Sequence, residues 1–126
     1  MAQSILIAED DFDLRDILRL VLMDEGFEIV TCVDGQMTMD HLKKLKAENK
    51  PLPSMIILDL NMPIVDGWKV AEWLDADPAL REIPVIVTSA TEEHGEAAKA
   101  LHADAYLVKP YTSDEILGVV ELFSLL

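Results

Sequence analysis

The chain has 126 residues, 51% hydrophobic and 27% charged, with 5 Gly and 6 Pro; this length supports one buried core and this balance excludes collagen-like, low-complexity and disordered classes. Ten Lys and Arg against 24 Asp and Glu give a formal charge of -14, so the surface repels nucleic acid and anionic lipid, which argues against autonomous DNA binding. A lone cysteine, Cys32, excludes an internal disulfide and fits a reducing cytoplasm, and the first apolar stretch stops at Glu9, too short for a signal peptide or a membrane span.

In chain order, a first apolar run over 5–8 ends in Glu9-Asp10-Asp11. Leu14, Ile17, Leu18, Val21 and Leu22 then recur at helical spacing over 11–25, and Gly26 is placed to stop that helix. A second apolar run, 27–33, holds Cys32 as a small buried hydrophobe; a weaker helix over 36–49 rests on Met37, His41, Leu42 and Leu45 and is closed by Pro51 and Pro53. The third run, 55–58, leads into Asp59. Gly67 opens a helix with Val70, Trp73 and Leu74 on one face, ended at Asp77-Pro78.

The fourth run, 85–87, continues into Thr88-Ser89, and a helix poor in large apolar residues is expected over 91–102. The fifth run, 106–108, leads to Lys109-Pro110, after which Thr112-Ser113-Asp114-Glu115 has the spacing of a capping box for the last helix. That helix needs only Ile116, Val119, Val120 and Phe123 for the core, which leaves Leu117, Leu122, Leu125 and Leu126 for a dimer or partner surface, or for a longer helix.

The five runs are nearly unbroken rather than alternating, the pattern of strands covered on both faces. Five such strands in alternation with helices predict an α/β doubly wound parallel sheet in a three-layer single domain covering 1–126; if strands one and three are neighbours, as in the flavodoxin-like order 2-1-3-4-5, Glu9, Asp10 and Asp59 converge at the switch point. In a parallel sheet every strand ends on one edge, so Glu9, Asp10, Asp59, Ser89 and Lys109 gather there. Each alone has a plainer reading: Asp11 or Asp13 as a helix cap, Ser89 as the cap of the fourth helix, Lys109 as a solvated strand end.

Together they say more. Three converging carboxylates repel one another unless a cation sits among them, and oxygen donors alone favour Mg2+ first and Mn2+ next. With one Lys and one hydroxyl beside it, such a cluster suits phosphoryl transfer: a carboxylate is the nucleophile while the oxygens of the transferring group are neutralised and held. Asp59, at the middle of the sheet, is the natural nucleophile.

The segments 5–11, 59–67, 84–90 and 105–110 resemble, in order and spacing, the motifs of the response regulator receiver domains, the CheY-like superfamily, over essentially the whole chain. The resemblance implies that Asp59 receives a phosphoryl group from the phosphohistidine of a sensor histidine kinase or histidine phosphotransfer protein. It implies Mg2+ on Asp10, Asp59 and the backbone carbonyl of Asn61, with Glu9 acting largely through water, and a phosphoryl group held by Ser89 and Lys109. Asn61 and Thr91 stand where such domains tune the phosphoryl lifetime, and Tyr106 resembles the aromatic that turns inward as Ser89 moves. The expected output is a protein partner or homodimer at the surface of the fourth helix, fifth strand and fifth helix, with no enzyme activity beyond self-phosphorylation and self-dephosphorylation.

Departures are local. His102-Ala103-Asp104-Ala105 stands where the family often has Gly-Ala-x-Gly, and Glu92, Glu93, Glu96, Glu115 and Glu121 make the output face acidic. Trp68 and Trp73 read as packing residues, and His41, His94 and His102 as structural or exposed. Competing readings are a phosphorylation-independent interaction module, a Mg-dependent aspartyl-phosphate phosphohydrolase and an FMN carrier. Intact Asp59, Ser89 and Lys109 argue against the first. Asn61, where the second needs an Asp, argues against it, and the acids after the first strand would repel the FMN phosphate.

Overall fold

A computed structural model describes residues 3–101 and 103–124; His102, Leu125 and Leu126 lie outside the described residues. Its strands are β1 (Ser4–Ala8), β2 (Glu28–Cys32), β3 (Met55–Asp59), β4 (Val85–Ser89) and β5 (Ala105–Val108). Its helices are α1 (Phe12–Asp24), α2 (Gly35–Ala47), α3 (Gly67–Asp75), α4 (Gly95–Ala100) and α5 (Ser113–Ser124). The strands form one parallel sheet, as the alternating pattern predicts, in the flavodoxin-like order β2-β1-β3-β4-β5.

Because successive side chains of a strand point to opposite faces, each apolar run feeds two cores at once. Leu6, Ile56, Leu58 and Val87 pack with Leu42, Val70 and Leu74 beneath α2 and α3. Ile5, Ile7, Ile57 and Ile86 pack on the other face with Leu18 and Leu22 of α1 and Ile116 and Val120 of α5. β3 and β4 are buried along their whole length, whereas β2, at the sheet edge, alternates. Among the described residues no helix is long and apolar enough to cross a membrane.

Helices α1, α2, α3 and α5 begin on side-chain caps. Asp11, Asp34 and Asp66 each accept a backbone N–H three residues on, so Asp11 takes the plainer role open to it. At α5 the capping box is complete: Thr112 Oγ1 accepts the Glu115 N–H and Glu115 Oε1 accepts the Thr112 N–H, both at 3.1 Å. Thr112→Ala is expected to lower stability by about 1 kcal/mol, read as a lower urea midpoint at unchanged slope.

The fourth helical segment differs from the expected continuous helix over 91–102. Thr91 Oγ1 accepts the Glu93 N–H at 3.2 Å and opens a 3-10 turn, Glu92–His94, and only six residues of α-helix follow. Ala98 is its one buried residue, so little apolar area holds a longer helix against the sheet. In α5, Ile116 and Val120 are buried, Leu117, Val119 and Phe123 are partly buried against them, and Leu122 is exposed.

Candidate functional site at the carboxyl edge of the sheet

The register sets the strand ends side by side. Ala8 pairs with Cys32 and Leu58, Asp59 with Thr88, and Ser89 with Val108, so Glu9, Asp59, Ser89 and Lys109 line one edge. The loops continue the ladder for one more bond each: Glu9 N–H to the Cys32 carbonyl at 3.1 Å, Leu60 N–H to Thr88 at 3.0 Å and Lys109 N–H to Ser89 at 2.8 Å. Arg15 reaches back from α1 and donates to the Glu9 and Asp10 carbonyls at 2.9 and 3.3 Å. These bonds hold the functional side chains on rigid backbone.

Glu9 and Asp59 are each 2% exposed, whereas Asp10 is exposed. One carboxylate oxygen from each of the three lies within 4.8 Å of the others. Each buried carboxylate divides its oxygens in the same way. Glu9 Oε2 accepts the Asp11 N–H at 3.1 Å while Oε1 meets Lys109 Nζ at 2.7 Å. Asp59 Oδ1 accepts the Asn61 N–H at 3.1 Å while Oδ2 meets Lys109 Nζ at 3.1 Å.

Burial pushes the Glu9 carboxyl up to about 7; the Lys109 and Asp11 hydrogen bonds oppose this, and the Asp59 charge adds to it. For Lys109 burial alone would lower the pKa, but hydrogen bonds and charges from Glu9 and Asp59 outweigh it and hold the ammonium above its usual range. Three carboxyl groups converge beside one ammonium, in a site whose side-chain metal donors are oxygens. That donor set fits a hard divalent cation.

Ser89 is buried, with Oγ 3.0 Å from His94 Nδ1 and accepting the Thr91 N–H at 3.3 Å. The half-buried Tyr106 hydroxyl donates to the Thr91 carbonyl. Beside Ser89 opens a cleft of about 330 Å³ bordered by Asn61, Asp66, Trp68, Thr91 and His94. Every residue singled out at the strand ends is therefore at this edge, whereas Trp73 and His41 are on the outer helices, Trp73 under the Lys43 ammonium.

Two neighbours escaped the sequence reading. His94 is packed edge-to-face on Trp68, centroids 5.1 Å apart, against the Ser89 hydroxyl, so it is half-buried rather than exposed. No sequence signal marks it, because the contact depends on the 3-10 turn. Tyr111 has a buried hydroxyl with no hydrogen-bond partner among the described residues, and burial together with the Glu9 and Asp59 charges raises its pKa. Its place directly after Lys109-Pro110 is the signal that would have found it.

The chain matches the family model of the response regulator receiver domain over residues 5–121. It is 34% identical over 119 residues to the transcriptional regulatory protein PrrA of Mycobacterium tuberculosis (strain ATCC 25618 / H37Rv), covering 93% of this chain and 48% of that protein. Among solved structures, the Mn(2+)-bound form of response regulator Rcp1 is 31% identical, with a TM-score of 0.80 over 94% of this chain and 89% of that one. The phosphorylated cyanobacterial phytochrome response regulator RcpA is 28% identical, with a TM-score of 0.82 over 96% and 90%. The chain spans about half the length of the first curated relatives it matches. Since the family match runs from the first strand into the last helix, and the sheet has the order of the CheY-like fold, this chain belongs to the response regulator receiver domains of two-component signalling systems.

Proposed function

We propose that this single domain accepts a phosphoryl group onto Asp59 from the phosphohistidine of a sensor histidine kinase or histidine phosphotransfer protein in the cytoplasm. The observation that carries the reading is the buried Asp59 carboxylate, bridged by Lys109 to Glu9 and within 4.8 Å of the Glu9 and Asp10 oxygens. An Asp59 oxygen bonds to phosphorus as the phosphorus–nitrogen bond to the donor imidazole breaks, and the imidazole leaves with that electron pair. Asp10, Asp59 and the Asn61 carbonyl, with Glu9 behind them, would hold Mg2+, or Mn2+ in its place. The bound ion supplies neutralisation of phosphoryl oxygen charge. Lys109 pairs with a phosphoryl oxygen and the Ser89 hydroxyl donates to another.

The modification adds about 1.5 to 2 negative charges and three strong acceptors to an acidic edge, which draws Ser89 and Lys109 inward. Ser89 and Thr91 share a short loop, and Tyr106 donates to the Thr91 carbonyl, so movement of Ser89 passes to the face of α4, β5 and α5, where a protein partner or second copy docks. Asn61 and Thr91 border the same cleft and set the lifetime of the modified state. No direct nucleic-acid contact is required of the domain.

Intact mass after incubation with Mg2+ and acetyl phosphate tests this. The wild type is expected to gain one phosphoryl group, and both Asp59→Asn and a magnesium-free control to gain none. An unmodified wild type that still binds Mg2+ would sink the proposal in favour of a phosphorylation-independent interaction module.

A further inference from the structure

The geometry points to His94 as a positioning residue that holds Ser89 in its unmodified place by accepting the hydroxyl proton that a phosphoryl group on Asp59 would need. The inference rests on the reading of Asp59 as phosphoacceptor and adds a competitor for the group that senses it. A serine hydroxyl has one proton to give and two lone pairs. The Thr91 N–H already donates to Ser89 Oγ at 3.3 Å, and His94 Nδ1 stands 3.0 Å away. No other acceptor for this hydroxyl is within hydrogen-bond reach among the described residues.

In a neutral imidazole one nitrogen is a donor and the other an acceptor. With the proton on Nε2, Nδ1 takes the Ser89 proton, and Ser89 then faces the 3-10 turn Glu92–His94. Trp68 fixes the ring, edge-to-face at 5.1 Å and 79°. Trp68 is on α3, which starts just past the loop leaving Asp59, so the latch is anchored outside the segment that moves. To donate to a phosphoryl oxygen, Ser89 must break this bond, and the His94–Ser89 pair therefore opposes the switch by the net value of one hydrogen bond.

Three variants separate this role from packing. His94→Phe keeps a ring against Trp68 and removes the acceptor; His94→Asn keeps an acceptor near the Nδ1 place; Ser89→Ala removes the donor. Beryllofluoride, a phosphoryl mimic, is titrated in saturating Mg2+ and followed by backbone amide shifts. His94→Phe is expected to bind it roughly two- to tenfold more tightly, the factor carried by one net hydrogen bond. His94→Asn is expected to stay within about twofold of wild type, and His94→Phe is expected to have no effect in the Ser89→Ala background. In the free wild type, long-range proton–nitrogen spectra are expected to show an unprotonated Nδ1 whose resonance moves in Ser89→Ala.

Equal affinities for wild type and His94→Phe, or a protonated Nδ1 facing Ser89, would overturn the role of His94 while leaving the reading of Asp59 intact. A wild type that binds Mg2+ but no beryllofluoride would overturn both.

Discussion

In magnesium-free buffer at pH 8, Glu9→Gln is expected to be about 3 kcal/mol more stable than the wild type, and at pH 5 the two are expected to differ by less than about 1 kcal/mol. The carboxyl of Glu9 sits near 4.5 when free of the fold and is pushed up to about 7 within it, chiefly by burial. A carboxyl raised on folding binds its proton more tightly in the native state, so stability is lost as pH rises. Glu9 contributes fully to stability below pH 4.5, and that contribution falls away between 4.5 and 7. Above 7 the ionised, 2% exposed side chain is held beside Asp59 with Lys109 as its counter-charge. Gln is neutral throughout and escapes the cost. Urea titrations at the two pH values measure the difference, and a gain of equal size at both would show that packing rather than ionisation is responsible. Added Mg2+ is expected to stabilise the wild type most above pH 7, where Glu9 is ionised.

Gly67→Ala is expected to lose more than about 3 kcal/mol and to displace Asp59, whereas Gly118→Ala is expected to gain about 0.5 to 1 kcal/mol. A Cβ at Gly67 would stand 2.2 Å from the Asp59 carbonyl oxygen and 2.5 Å from Leu60 Cα, both backbone atoms that cannot swing aside. The Gly67 N–H also donates to the Leu60 carbonyl at 3.0 Å. The first turn of α3 thus rests directly on the chain leaving the candidate phosphoacceptor, and relief of the clash must move one or the other. At Gly118, in α5, a Cβ meets nothing within 4 Å. The substitution there restricts the unfolded chain without crowding the folded one. Thermal and urea denaturation give the two signs; a Gly67→Ala protein as stable as wild type would mean that α3 shifts freely against β3, contrary to its packing through Val70 and Leu74.

The strands other than β2 were legible because their apolar runs are short, nearly unbroken and followed by polar residues of a different kind, Glu9-Asp10, Asp59, Ser89 and Lys109. Two-sided burial demands the first feature, and the shared edge of a parallel sheet collects the second. The α5 cap was legible for a local reason: a Thr and a Glu three residues apart reciprocate within one turn. The start and length of the fourth helix were not, because alanine favours helix everywhere and says nothing of where anchoring ends.

By itself, then, the sequence determined the alternation of five strands and five helices and which residues stand at the carboxyl edge of the sheet. These follow from hydrophobic period and from connection rules, both written along the chain. Only the tertiary structure decided that Glu9 rather than Asp10 is buried with Lys109, that burial raises the Glu9 carboxyl, and that His94 holds the Ser89 hydroxyl against Trp68. Those depend on distances and desolvation set where separate segments meet, and neither quantity is encoded at a single position.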